Sequence, residues 1–346
     1  LNSPLNLFRE LHVAPQAFVA FVAALLVTLL MTPLVKRLAV RCGALAIPDA
    51  RRLHPEPIAQ WGGLALFLGV ACAALLWRQP SLQDIRQLAP SSSQGDIEAT
   101  RQAFQTLHLS TVFFGCGLLM LLLGMADDRY ELPPALKFLG QILIVYLMWR
   151  GGVRINTLPF TAGTQPLSDA ASLSLTLFWT LALVNGVNFI DGVDGLATGV
   201  CAIAAGSLCI IELMKNATWA AAASAAICGA SIGFLRYNFT PAKIFLGDAG
   251  AMLLGFWLSF IAVSAASKTA AATTLAIPML VMGVPVFDTL WAVVRRTLAG
   301  QVFWRADRGH LHHRLLARGL TPQKTVAVIY TVSGLLGAAA IYLAAR

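Results

Sequence analysis

The chain has 346 residues, of which 58% are hydrophobic and 12% charged, with a net charge of +9. A soluble globular domain carries about 25% charged residues, so this composition excludes a soluble enzyme or binding module and indicates an integral membrane protein. The absence of a basic tail and of an alternating aromatic–basic stripe excludes a nucleic-acid partner.

A hydrocarbon core takes about 20 apolar residues per helix. The apolar runs predict about ten spans, near 17–36, 61–77, 110–126, 135–150, 174–188, 195–213, 218–234, 247–266, 272–293 and 324–344. The first run is too long for a cleavable signal and has no basic flank before it, so it reads as the first span. The loop that follows carries Arg51-Arg52-Leu53-His54 and then Trp61-Gly62-Gly63, with no assignable chemistry of its own. The loop at 79–109 is polar and holds Pro90–Gly95, a turn-rich stretch. The third predicted span ends in Asp127-Asp128, and Lys137 and Gln141 open the fourth. Neighbouring residues on a helix point about 100° apart, so the two carboxylates are expected to face different partners. One can act as a base while the other orients a cation; the plain alternative is a hydrated pair that stops the helix. Lys137 reads either as an anchor reaching to the interface or as a point charge for phosphate.

Between the fifth and sixth spans lies Asn188-Phe189-Ile190-Asp191-Gly192-Val193-Asp194-Gly195. Three oxygen-bearing side chains recur at spacing three, and the glycines allow close approach of a ligand. A calcium-hand loop is excluded by the missing closing Glu. Before the eighth span, Tyr237–Gly250 contains Asn238, Phe245 and Asp248. Asp248 suits a helix N-terminus, and Phe245 with Asn238 can stack on and hydrogen-bond a nucleobase. Asp288 lies inside the ninth span as either a site residue or a packing partner. The run Arg305–Arg314 then holds Arg308, His310, His312 and His313. Zinc is one reading, but no cysteine or further histidine completes a set. A clamp for a polyanion fits better, because Arg grips phosphate with two donors. The six cysteines show no paired spacing and read as small core residues.

The whole chain, residues 1–346, reads as one membrane domain: an all-α polytopic helical bundle without internal repeats. Placing the first loop in the cytoplasm puts 16 Lys and Arg on that side against 9 on the other, the orientation favoured by the positive-inside rule. All four polar clusters then fall on the cytoplasmic face. Hard oxygen ligands converging there suggest a Mg²⁺ site that handles phosphates.

Taken together, Asp127-Asp128 with Lys137 and Gln141, the Asn188–Leu196 motif, Phe245-Leu246-Gly247-Asp248 and His310-Leu311-His312-His313 resemble the polyprenyl-phosphate N-acetylhexosamine-1-phosphate transferase family. The resemblance runs from about Asp49 to Tyr330. The His-Leu-His-His form is similar to the branch that uses UDP-GlcNAc and undecaprenyl phosphate. The phospho-MurNAc-pentapeptide branch shows a Pro-Leu-His-His-His setting that is absent here. The resemblance implies a multi-pass enzyme of the inner membrane with a UDP-sugar and a polyprenyl phosphate as substrates and Mg²⁺ (Mn²⁺ the alternative) as cofactor. A homodimer is left open. It further implies Asn188 and Asp248 as metal ligands and Asp127, supported by Asp128 and Asp191, as the group that meets the lipid phosphate. Lys137, Asp194, Asn238, Phe245, Arg308, His310, His312 and His313 would contact substrate. Direct attack of the lipid phosphate and a covalent aspartyl route both remain open. A transporter for an anionic substrate is the alternative outside the family.

Overall fold

The protein is represented by a computed structural model that describes residues 4–47, 56–76, 94–157, 166–266, 273–298 and 309–346. Among these residues the fold is helical: α1 (Pro4–Arg41), α2 (Gly62–Leu76), α3 (Gln94–Tyr130), α4 (Pro134–Arg150), α5 (Asp169–Ile190), α6 (Leu196–Met214), α7 (Thr218–Asn238), α8 (Gly247–Ala266), α9 (Thr273–Val281), α10 (Gly283–Leu298), α11 (Leu311–Ala317) and α12 (Pro322–Ala344). Two short strands, β1 (Leu45–Ala46) and β2 (Ile58–Ala59), pair antiparallel between α1 and α2.

The helix boundaries follow from local chemistry. Pro134 opens α4 and Pro322 opens α12, where a missing N–H costs nothing. Ser168 and Thr321 cap α5 and α12 by accepting from Ala171 N and Lys324 N. Gly195, at φ 77°, turns the chain into α6.

Among the described residues, seven helices are long and apolar enough to cross a membrane. The other three expected spans are a 15-residue helix (α2), a 17-residue helix (α4) and a pair, α9 and α10, divided at Met282. Pro278 inside α9 and Gly283 at the start of α10 account for that division: one lacks a donor and the other has low helix propensity. The chain is therefore a membrane helical bundle, with fewer full-length spans than the apolar runs predict.

The most apolar window of α8 is 89% buried, whereas those of α1 and α12 are 28% buried. So α8 is the central post and α1 and α12 lie at the periphery. Around α8 the core is aromatic: Trp257 stacks on Phe113 at 5.2 Å and on Phe67 at 5.8 Å between centroids. In lipid, where apolar burial alone does not bring helices together, small residues that permit backbone contact do so instead. Gly229 and Gly233 of α7 accordingly lie against the Phe21 and Leu25 carbonyls of α1. Gly124 of α3 meets the α8 backbone in the same way.

A Cβ at Gly124 would sit 2.4 Å from Ala249 Cα and 2.6 Å from its nitrogen, atoms that cannot move aside cheaply. Gly124→Val should destabilise the protein by at least about 1–3 kcal/mol, read as a lower thermal midpoint in detergent. Gly115→Ala, whose added methyl meets nothing within 4 Å, should leave the midpoint unchanged or slightly raised.

Candidate active site

The C-terminal end of α3, the N-terminal end of α8 and the α5–α6 turn meet at one end of the bundle. Asp127 and Asp128 part company there, as their helical offset predicts. Asp128 accepts from the backbone nitrogens of Asp248 (2.8 Å) and Ala249 (3.2 Å), so one helix's terminal carboxylate caps another helix's first turn. Gly247 makes this possible. It has φ 72°, and a Cβ on it would lie 2.5 Å from Asp128 Oδ2.

Asp127 turns the other way. Its Oδ1 accepts from Leu132 N at 2.9 Å, and its Oδ2 meets Lys137 Nζ at 2.7 Å. Lys137 Nζ also donates to Asp248 Oδ2 at 2.8 Å, and Asn188 Nδ2 donates to Asp248 Oδ1. Lys137 is thus a cation bridging two carboxylates, with its side chain 18% exposed. Below it Gln141, fully buried, forms a reciprocal amide pair with Asn185, which ties α4 to α5.

Asp191 lies just past α5, partly exposed, with its backbone nitrogen on Asn188 O. Burial first, and then the charges of Asp248, Asp128 and Asp194, push its carboxyl well above the usual carboxylate range. It is therefore suited to hold a proton. Asp194 faces elsewhere. Its Oδ2 accepts from Ala242 N at 2.9 Å, stapling the α5–α6 turn to the α7–α8 loop. Asn238 is buried, with Oδ1 accepting from Thr198 and Nδ2 donating to Ile244 O. Both ends of its amide brace the loop that carries Phe245.

The histidine run joins the same end of the bundle. His310 Nδ1 bonds Asp288 Oδ2 at 2.8 Å, and its ring lies 5.3 Å from that of Phe189. His312 is 1% exposed, and neither ring nitrogen has a hydrogen-bond partner among the described residues. Its Nε2 faces Gly192, where an added Cβ would stand 2.6 Å away. His313 is exposed and its ring packs 4.2 Å from that of His312. Arg308 lies outside the described residues.

Several positioning residues were left open or passed over by the sequence reading. Asp288, ambiguous from its place in an apolar run, holds His310 and also accepts from Leu311 N at 2.8 Å. Tyr330 of α12 donates to Gly195 O at 2.6 Å, and its ring packs over Gly199; nothing in its apolar surroundings marks it. The first loop acts through its backbone: Gly62 N and Gly63 N donate to Phe245 O and Leu246 O, and Phe245 N donates to Ala59 O. Trp61, at φ 72°, anchors this strip by donating Nε1–H to Met125 O.

Among the described residues, no group of three or more His, Cys, Asp and Glu is arranged to hold a metal. The donor set nevertheless suits a hard cation. Asp127 and Asp248 converge on one cationic point, filled by the Lys137 ammonium, and Asn188 adds an amide beside it.

The family model described as glycosyl transferase family 4 matches residues 110–266. The chain is 33% identical to a probable undecaprenyl-phosphate N-acetylglucosaminyl 1-phosphate transferase of Bacillus subtilis, over 94% of this chain and 84% of that protein. It is 35% identical to a decaprenyl-phosphate N-acetylglucosaminephosphotransferase of Mycolicibacterium smegmatis, over 92% and 80%. A phospho-N-acetylmuramoyl-pentapeptide-transferase of Desulforudis audaxviator is 30% identical over 91% and 93%.

Burial, with the neighbouring His313 and His310, lowers the His312 pKa to about 4 from an ordinary 6.5. The folded state thus resists a proton that the unfolded chain accepts. This contribution to stability is complete above pH 6.5 and is lost as pH falls toward 4. The thermal midpoint of the wild type should fall more steeply between pH 6.5 and 4.5 than that of His312→Gln. Parallel pH profiles would contradict the assignment.

Proposed function

The chain belongs to glycosyl transferase family 4, and on that premise we propose that it transfers GlcNAc-1-phosphate from UDP-GlcNAc to undecaprenyl phosphate, releasing UMP. The observation that carries this reading is the convergence of Asp127, Lys137, Asn188 and Asp248 on one point beside the half-exposed Asp191. Two phosphate-bearing substrates repel each other, and a site for them must hold cations and protons among fixed acids. The identity of 33% and 35% to the Bacillus and Mycolicibacterium GlcNAc-1-phosphate transferases, against 30% to the muramoyl-pentapeptide enzyme, with the His-Leu-His-His run, favours GlcNAc.

In the step we propose, an oxygen of the lipid phosphate attacks the β-phosphorus of UDP-GlcNAc. A new phosphoanhydride forms, the old one breaks, and the electron pair leaves with UMP. Mg²⁺, held by Asn188 and Asp248, supplies Lewis-acid stabilisation of the phosphate oxygens when bound. Lys137 contributes a fixed positive charge between the two acids, and Asp127 orients the lipid phosphate through it. A lipid phosphomonoester is already mostly ionised near neutral pH, its second pKa being about 6, so Asp127 has little proton to remove. Asp191 carries a proton and can share it with a phosphate oxygen. His310, steadied by Asp288, and His313 flank His312, which faces the turn at Gly192, and in this reading they would meet the nucleotide phosphates.

Holding the two phosphates in line can supply about 7–11 kcal/mol without a covalent intermediate, so direct transfer is the preferred route. Crowding of the acids at one end of the bundle, rather than across its middle, supports an enzyme over a transporter. The distribution of Lys and Arg supports placing that end on the cytoplasmic side of the inner membrane.

Two outcomes test this reading. Purified protein given Mg²⁺ and a panel of UDP-sugars should release UMP from UDP-GlcNAc, only when undecaprenyl phosphate is present, and not from UDP-MurNAc-pentapeptide. UMP formed stoichiometrically without lipid would point to the covalent route, and reaction with the pentapeptide alone would reverse the sugar assignment. Separately, Asp248→Asn should lower kcat/KM by at least about 100-fold, and a chelator should abolish wild-type turnover. Turnover indifferent to chelator would remove the metal from the mechanism.

A further inference from the structure

Away from the carboxylate cluster, a cavity of about 500 Å³ opens between the last turns of α1 and the α7–α8 loop. Lys36, Arg37 and Arg41 of α1 and Lys243 of the loop line it, with Tyr237 and Ile244 at its base. Among the described residues, no carboxylate lines it. All four cations are exposed, and none forms an ion pair with another described residue. Like charges at i and i+4, as Arg37 and Arg41 are, repel each other unless an anion sits between them. The helix C-terminus favours cations on α1, but it does not explain Lys243, which arrives from a separate segment to complete the cradle.

The depth and the flanking surface define the ligand. The membrane-length part of α1 ends at Arg41, so these cations stand at headgroup level. Leu26, Leu30 and Leu34 are 51%, 69% and 51% exposed. At about 100° per residue, they share an arc of about 80° with Arg37 and Arg41. One face of α1 is therefore an apolar track that runs straight into a pair of arginines. A soluble phosphate has no use for the track, and a neutral lipid has none for the arginines.

We propose that this groove binds an anionic membrane phospholipid, its phosphate held by Lys36, Arg37, Arg41 and Lys243 and one acyl chain lying along Leu26, Leu30 and Leu34. The bound headgroup would bear on a loop already tied to the active end: Lys243 N donates to Tyr237 O at 2.7 Å, Ala242 N to Asp194 Oδ2 at 2.9 Å, and Phe245 N to Ala59 O at 2.8 Å. Tyr237 in turn donates to Leu29 O, which fixes the floor of the groove to α1. An anionic lipid here steadies the segment that leads into Asp248.

Native mass spectrometry of the delipidated protein, titrated with phosphatidylglycerol and with phosphatidylcholine, tests this without any substrate. The wild type should prefer phosphatidylglycerol by about tenfold or more. The variant Lys36→Gln, Arg37→Gln, Arg41→Gln and Lys243→Gln should lose that preference, while Arg150→Gln with Lys215→Gln, at exposed basic sites elsewhere, should keep it. Arg41→Gln alone should weaken the preference and serves if the fourfold variant does not fold. Equal affinity for both lipids in the wild type, or a preference that survives in the fourfold variant, would overturn the proposal. Displacement of phosphatidylglycerol by millimolar inorganic phosphate, or by equimolar undecaprenyl phosphate, would overturn the assignment to a bilayer phospholipid. Because no turnover is read, these outcomes are independent of the transferase reaction.

Discussion

The structure depends on one cap. Asp128, at the end of α3, takes two backbone N–H groups in the first turn of α8, those of Asp248 and Ala249. A helix N-terminus packed against another helix without such partners leaves donors unpaired, at a cost of about 1–3 kcal/mol per group. Here the cost is offset by a carboxylate that also complements the helix dipole. The consequence is positional. Asp248 is both the residue whose nitrogen is capped and the residue whose side chain enters the cluster, so the cap sets where its carboxylate stands relative to Lys137 and Asn188. Gly124 and Gly247 serve the same contact by letting the backbones close on it.

The second constraint is electrostatic. Asp127, Asp128, Asp191, Asp194 and Asp248 lie at one end of the bundle, and their surroundings differ. Asp128 has backbone donors, Asp127 and Asp248 share Lys137, and Asp194 holds Ala242 N. For Asp191, burial and the charges of Asp248, Asp128 and Asp194 push the carboxyl well above the usual carboxylate range. Acids that differ in this way are suited to divide the tasks of orienting, neutralising and proton sharing between two phosphate substrates. The loops carrying them are braced through protein partners by Asn238, Tyr330, Asp288 and the backbone of residues 59–63.

The acidic and histidine clusters were legible in the sequence because their chemistry is local. A charge in an apolar run is conspicuous, and Asn188–Asp194 or His310–His313 announce themselves by spacing. The parting of Asp127 and Asp128 follows from helical geometry alone. What was not legible is how distant segments are tied together. Tyr330 is one aromatic residue in an apolar helix, and its bond to Gly195 O spans 135 positions. The first loop works mainly through backbone donors and close backbone approach, with a Cβ on Gly63 falling 2.5 Å from Gly250 N, and neither shows as chemistry in Gln60-Trp61-Gly62-Gly63. The span count also exceeded the full-length helices, because hydropathy registers an apolar run but not its division, as at Met282, or its shortness, as in α2.

The central claim, that the Asp128 cap places Asp248, is tested most directly by hydrogen exchange on the peptide covering residues 246–252, compared between the wild type and Asp128→Ala. Loss of protection should be confined to the first turn of α8, with the remainder of that helix still protected and UMP release abolished. Unchanged exchange at Asp248 and Ala249 in a variant that retains turnover would contradict the claim.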